Sequence, residues 1–300
     1  MKKYIALALG AVLVLGLLTG CAKAPALRVA MSPDFAPMEF VDASKTGQDQ
    51  FVGFDVSLAS YLAKEMGMEL EIVPMSFDAC QSAVEEGKVD MAISGFSWMP
   101  DRAERFSLSD TYHAGDNESR QVLLTTAENK DLCSDAASLA GSRIGAQSAS
   151  LQEWLVREQL PEARVVPFDS ITDGVDRLRK GDILAMAVAE GNADAIIISN
   201  PDLCKSGFCF ELTEDLLDNL ILMPKGSDEL TAAVNKLLAK AREAGYYERW
   251  YADALELVGV GIEVSYNADG YIATEGTSPP SRQETVASLR VDKTARRGDH

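Results

Sequence analysis

Histidine is all but missing from this chain, which has two, His113 and His300, in 300 residues. No Ser/His/Asp arrangement and no cluster of ligands at metal-binding spacing can be drawn from it, so the sequence predicts no catalytic triad, no metal and no cofactor. Positive charge is also scarce. Lys and Arg number 28 against 46 Asp and Glu, a formal charge of −18, which argues against nucleic acid and against docking on anionic lipid through a basic patch. The acidity is spread along the chain, and its simplest meaning is solubility. After the first twenty residues no run is apolar enough to cross a bilayer.

The one long apolar run is at the N-terminus. Lys2 and Lys3 precede Ile5 to Leu18, a run with the layout of a secretory signal, and Leu18-Thr19-Gly20-Cys21 resembles a bacterial lipobox. Residues 1–20 then form a lipoprotein signal peptide that is removed. Cys21 becomes the lipidated terminus that attaches the protein to the bacterial membrane on its extracytoplasmic side, and 21–26 is a short linker.

Cysteine is sparse too, five in all. Setting Cys21 aside leaves four, and an even remainder in an exported protein invites disulfides. Cys204 and Cys209, separated by Lys205-Ser206-Gly207-Phe208, could close a small loop. Cys80 lies on an apolar helix face and reads as a buried thiol. Its pairing with Cys133 would lock two lobes together, which counts against it.

Strands and helices alternate, which predicts an α/β fold with parallel sheets flanked by helices. Asp55 can cap a helix with Leu58, Ala59, Leu62, Ala63 and Met66 on one face, ended by Gly67; Ser76 can cap the next, ended by Gly87. The pattern restarts after Tyr112. A strand over 141–146 leads to Ser150-Leu151-Gln152-Glu153, a capping box that opens a helix running to Leu160. A strand at Val165-Val166, a helix over 171–179, a strand over 184–188 and a helix over 193–198 follow. A strand over 220–223 returns to the first series, with a long helix over 227–243. The reading is two lobes, 27–117 plus 220–256 and 118–219, with hinge crossings near 113–121 and 214–220 and the ligand cleft between them. Residues 257–300 form an extension that reads as disordered apart from a small hairpin over 264–271.

Function is most legible at Ser94-Gly95-Phe96-Ser97-Trp98-Met99-Pro100-Asp101-Arg102. It follows a short apolar strand over 89–93, so small polar residues and an arginine emerge at a strand's carboxyl end, where open α/β sheets bind ligands. A guanidinium beside exposed backbone N–H groups is a good receptor for a carboxylate. The segment resembles the carboxylate clamp of family 3 of the bacterial extracellular solute-binding proteins, which serve amino-acid ABC importers. The resemblance extends to Phe35-Ala36-Pro37-Met38-Glu39-Phe40, Gly53-Phe54-Asp55, Gly87-Lys88-Val89-Asp90, Phe106-Ser107-Leu108-Ser109-Asp110-Thr111-Tyr112 and Met223-Pro224-Lys225-Gly226, over residues 27 to 252.

The resemblance implies a two-lobed periplasmic-binding-protein-like fold of type II, a monomer that closes on a free amino acid and presents it to an ABC permease. It assigns the ligand carboxylate to Arg102, helped by Ser97 and by the backbone around Ser150. The ammonium falls to Glu190 with Gly95 and Ser97, although a one-residue slip would put Ala189 there. Phe35 and Phe77 stack on the ligand's aliphatic part, and Gln147 touches its side chain. Ser32 and Gln147 carry no charge where cation- and anion-binding members carry one, which favours a neutral or small polar amino acid; Asp34 keeps a cationic one open. Two alternatives share the fold, a cyclohexadienyl-type dehydratase with Glu190 as general acid, and a ligand-sensing lobe.

Overall fold

The computed structural model describes residues 25–112, 120–217, 219–262 and 266–272. The first series of elements is β1 (Ala26–Met31), β2 (Asp34–Phe35), β3 (Glu39–Asp42), β4 (Phe51–Val52), α1 (Phe54–Glu65), β5 (Glu69–Pro74), α2 (Phe77–Glu85), β6 (Met91–Ser97), α3 (Pro100–Arg105) and β7 (Ser107–Leu108). The second is β8 (Gln121–Thr126), β9 (Arg143–Gln147), α4 (Leu151–Gln159), β10 (Arg164–Phe168), α5 (Ile171–Lys180), β11 (Ala185–Ala189), α6 (Glu190–Ser199) and β12 (Leu203–Cys209). The chain then returns through β13 (Asn219–Met223), α7 (Asp228–Glu243), α8 (Tyr246–Leu257) and β14 (Gly261–Ile262).

Each series builds one five-stranded sheet, and β2, β3 and β4 form a smaller third one with β14. The first runs β5-β1-β6-β13-β7, with β1 parallel to β5 and β6, and β13 antiparallel to β6. The second runs β10-β9-β11-β8-β12, with β9 parallel to β10 and β11, and β8 antiparallel to β11 and β12. Strand β13 is thus contributed to the first sheet by chain that has already built the second, and the protein is two-lobed. Buried clusters cover both faces of each sheet: Val29, Phe54, Leu58 and Ile93 on one side of the first and Val73, Cys80, Val84 and Phe96 on the other, then Ile144, Leu155 and Ala187 against Phe168, Val175 and Met186 in the second. This two-sided cover is what parallel sheets need, and bonds from the Ile171 N–H to Asp34 and from Arg102 to the Ala149 carbonyl bring together loops at the carboxyl ends of strands from both lobes.

Three local expectations change. Asp55 lies inside α1 rather than capping it, and its carboxylate accepts from Gly95 N–H at 2.8 Å and from the Tyr112 hydroxyl at 3.0 Å. Helix α6 starts at Glu190, three residues earlier than the apolar pattern suggests. Cys204 and Cys209 are free thiols in one strand, not the rim of a loop. They face Thr125 and Val122 of β8 across a bulge, so three strand positions, about 10 Å, separate them, well beyond disulfide reach. Cys80 and Cys133 are buried free thiols.

The signal peptide over 1–20, the lipid-bearing Cys21, most of the first hinge crossing including His113, and the chain from 273 to His300 lie outside the described residues. Among the described residues no helix is long and apolar enough to cross a membrane.

Candidate functional site

Arg102 sits in the short helix α3, begun by Pro100, and is 1% exposed, the largest fully buried side chain among the described residues. Its guanidinium lies over the rings of Phe77 and Phe96, 5.5 and 5.2 Å from their centroids, and those two rings stack at 4.5 Å. Nη1 donates to the Ser97 carbonyl at 2.7 Å and Nη2 crosses the cleft to the Ala149 carbonyl at 2.8 Å, while the buried Nε has no partner. Burial lowers its pKa to about 10, which still leaves the group charged at neutral pH. A buried cation held by carbonyl dipoles and aromatic faces is stabilised strongly by an anion that reaches it.

Strand β6 carries the neighbouring groups. Its pairing with β13 shifts register between Phe96 and Ala92, and Gly95 in that stretch has φ +58°. Bulges of this kind re-aim a strand beside a binding site. A Cβ on Gly95 would come within 2.9 Å of the Phe35 ring, so a side chain here would push that ring from its place. Behind it, Asp55 and Glu39 form a buried acid pair: burial raises Asp55 to about 6, and burial together with the Asp55 charge holds Glu39 well above the usual carboxylate range. Ser94 Oγ donates to Glu39 Oε1, and Glu39 Oε2 has no partner.

The second lobe meets these groups with loop 147–150 and the starts of α4, α5 and α6. Ser150 caps α4 as its sequence predicts, its hydroxyl accepting from Glu153 N–H at 3.1 Å. Ala149, with φ 59°, is held by a bond from its N–H to Glu153 Oε2 at 2.8 Å, and its carbonyl also accepts from Gln81 Nε2 at 3.3 Å. Asp34 of the first lobe accepts from the Ile171 N–H at 2.8 Å, at the N-terminus of α5, and from Gln147 Nε2 at 3.5 Å. An anion at a helix N-terminus is favoured, yet burial pushes this carboxyl up to about 6. Asn192, in the first turn of α6, donates to the Ala36 carbonyl at 3.0 Å and keeps a buried Oδ1 without a partner.

The fold therefore places Phe35, Phe77, Gly95, Ser97, Arg102, Gln147 and Ser150 beside the bonds that join the two lobes. Glu190 is placed differently. Its carboxylate accepts from Arg120 Nη1 at 2.9 Å and Lys205 Nζ at 3.1 Å, because the early start of α6 makes it the first helical residue, with its N–H on the Arg120 carbonyl. Asn192, Gln81 and Ala149 were not singled out from the sequence. Their role depends on the approach of two lobes, and the only local sign was the polar run Glu190-Gly191-Asn192 at a helix start.

Comparison with known proteins agrees with this architecture. The model of the bacterial extracellular solute-binding proteins, family 3, matches residues 27–255. The arginine-binding extracellular protein ArtP of Bacillus subtilis (strain 168) is 28% identical over 260 residues, 83% of this chain and 96% of its own length. The histidine-binding periplasmic protein of Salmonella typhimurium (strain LT2) is 28% identical over 255 residues, 82% of this chain and 95% of its own. A solved amino acid ABC transporter substrate-binding protein, AbpA from Streptococcus pneumoniae Canada MDR_19A bound to L-arginine, superposes with a TM-score of 0.71 at 32% identity, covering 79% of this chain and 97% of that one. The chain belongs to the bacterial extracellular solute-binding proteins, family 3.

Proposed function

We propose that this protein captures an L-amino acid with a cationic side chain in the cleft and presents it to an ABC permease, without chemistry of its own. The relatives named as arginine- and histidine-binding proteins support the receptor reading over the dehydratase one. Uncharged Ser32 and Gln147 favour a neutral or small polar ligand from sequence. The geometry supports the cationic option, and the observation that carries it is Asp34: an acid at the interface of the lobes whose bonded partners are an amide, a hydroxyl and a backbone N–H, with no cation among them.

In this reading Arg102 takes the α-carboxylate, and the starts of α3 and α4 flank it. The ammonium goes to the Gly95 carbonyl and to Asn192 Oδ1, since Arg120 and Lys205 already hold Glu190. Gln147 faces Asp34 and Ala149 faces Arg102. Two residues of one turn thus meet the acid and the buried cation, an arrangement suited to a ligand with opposite charges at its two ends. Phe35 and Phe77 supply apolar walls for the carbon chain between them. A lipid on Cys21 keeps the receptor at the membrane surface, and the monomer is the working unit.

Calorimetric titration of the domain beginning after Cys21, refolded from denaturant to strip any carried ligand, tests this. L-arginine and L-histidine should bind and L-glutamate should not. Binding of neutral amino acids alone, with Asp34→Asn unchanged from the parent, overturns the cationic reading and leaves the receptor reading standing.

A further inference from the structure

The family match ends at residue 255, but the described chain continues and comes back to the cleft. Strand β14 pairs with β3 at Val41 and Asp42, and residues 266–272 then form a turn closed by the Tyr266–Ile272 bridge and by Asn267, whose Oδ1 accepts from Asp269 N–H at 2.9 Å and Tyr271 N–H at 3.1 Å. This hairpin is docked by backbone. Tyr271 bridges to Met75, and Ser76 N–H donates to the Gly270 carbonyl at 2.6 Å. Gly270 has φ +78°, and a Cβ there would lie 2.5 Å from Ala79 Cβ and 2.7 Å from Ser76 Oγ, so the turn sits flush on the start of α2, the helix that carries Phe77.

The hairpin also reaches the interface of the lobes. Tyr266 OH lies 3.1 Å from Ser32 Oγ, and Ser32 Oγ donates to Asp34 Oδ1 at 2.9 Å. Ser32 has one hydroxyl proton and gives it to Asp34, so it must accept from the tyrosine. The chain Tyr266 O–H to Ser32 O–H to Asp34 carboxylate has every donor pointing one way, an arrangement in which each bond strengthens the next and favours the charged acid. On its outer side the hairpin shares a groove of 580 Å³ with Asp169 of the second lobe.

We propose that the hairpin over 266–272 is a working part of the binding site: it forms the outer lip of the cleft, and Tyr266 is a positioning residue that orders the Asp34 carboxylate through Ser32. The proposal rests on the reading of Asp34 as the receptor for the ligand's cationic group. The groups that face Asp34 are Glu39 on β3, Cys80 on α2 and Tyr266 in the first lobe. From the second lobe they are the uncharged Gln147 amide, which also donates to the Asp169 carbonyl, and the Ile171 N–H. Of these, Tyr266 alone belongs to chain beyond the family match.

The test is calorimetric titration of L-arginine into the chain beginning after Cys21, from pH 5 to pH 8, for the parent, Tyr266→Phe, Ser32→Ala, their combination, Asp34→Asn, and a chain ending at Ile262. Tyr266→Phe should weaken binding about fivefold, the size of one hydrogen bond, and move the pH midpoint of affinity upward. Combining it with Ser32→Ala should cost no more than Ser32→Ala alone, since both act on one chain of donors. The chain ending at Ile262 should lose at least as much as Tyr266→Phe. Parent affinity and an unmoved pH profile in both Tyr266→Phe and the shortened chain overturn the proposal while leaving the function intact. Absence of L-arginine binding to the parent, or parent-like binding by Asp34→Asn, overturns the reading of Asp34 and this proposal with it.

Discussion

Arg102 Nη2 donates to the carbonyl of Ala149 at 2.8 Å across the cleft, and Ala149 can present that carbonyl because its backbone is left-handed, with φ 59°. One lobe supplies a buried cation and the other a left-handed turn whose carbonyl receives it, so the group proposed to take the ligand carboxylate is held from both lobes. Removing the cation should be costly. Arg102→Ala should weaken amino-acid binding by about a hundredfold or more, the scale of a buried charge left without its partner, measured by calorimetry on the refolded domain. Arg102→Lys should recover little of the loss, since an ammonium cannot span Ser97 and Ala149 as the planar fork does.

Ala149 itself carries a measurable strain. A non-glycine residue in the left-handed region costs about 1–2 kcal/mol, offset in glycine by about 0.5–1 kcal/mol of extra chain entropy. Ala149→Gly should therefore raise ligand-free stability by up to about 1 kcal/mol in denaturant titration. A loss of stability would show that the methyl group packs usefully in the cleft.

Stability should also fall as pH rises through the carboxylate range. Asp55 is buried and its pKa is raised from 3.8 to about 6, with Glu39 raised beside it. A raised acid favours the folded state most when protonated, so its contribution is full below about pH 4 and is lost as pH climbs through about 6. For Asp55 this amounts to about 3 kcal/mol. The melting temperature of the parent should drop between pH 4.5 and pH 7, and Asp55→Asn should flatten that part of the profile while keeping the acceptor for Gly95 N–H.

Fold was legible where local pattern and tertiary demand agree. The apolar face from Leu58 to Ala63 and the stops at Gly67 and Gly87 mark α1 and α2, and the Ser150 box marks α4. It was illegible where tertiary contacts overrode local signals. Gly191 and Asn192 read as loop, yet the bond from Glu190 N–H to the Arg120 carbonyl draws them into α6. Ser206 and Gly207 read as a turn between two cysteines, yet pairing with β8 holds Leu203–Cys209 as a bulged strand. The site divides likewise. Arg102 and its aromatic bed lie within one lobe and could be read from a motif, whereas the bonds from the Ile171 N–H to Asp34 and from Asn192 to the Ala36 carbonyl exist only between lobes.

The thiols give a separate check. Cys204 and Cys209 are free, with Cys209 exposed, so Cys209 should take up a maleimide in the native, unreduced domain and no intramolecular loss of two protons should appear in its intact mass. A mass two units low, with Cys209 unlabelled, would mean that β12 rearranges to join them.

Whether Asp34 reads the charge of the ligand is decided by the affinity of the refolded domain for L-arginine beside L-glutamine, in the parent and in Asp34→Asn. The parent should prefer L-arginine, and Asp34→Asn should lose the preference by about tenfold or more, the value of a buried charge-assisted pair. Equal binding of the two amino acids by the parent, unchanged in the variant, would contradict that role for Asp34.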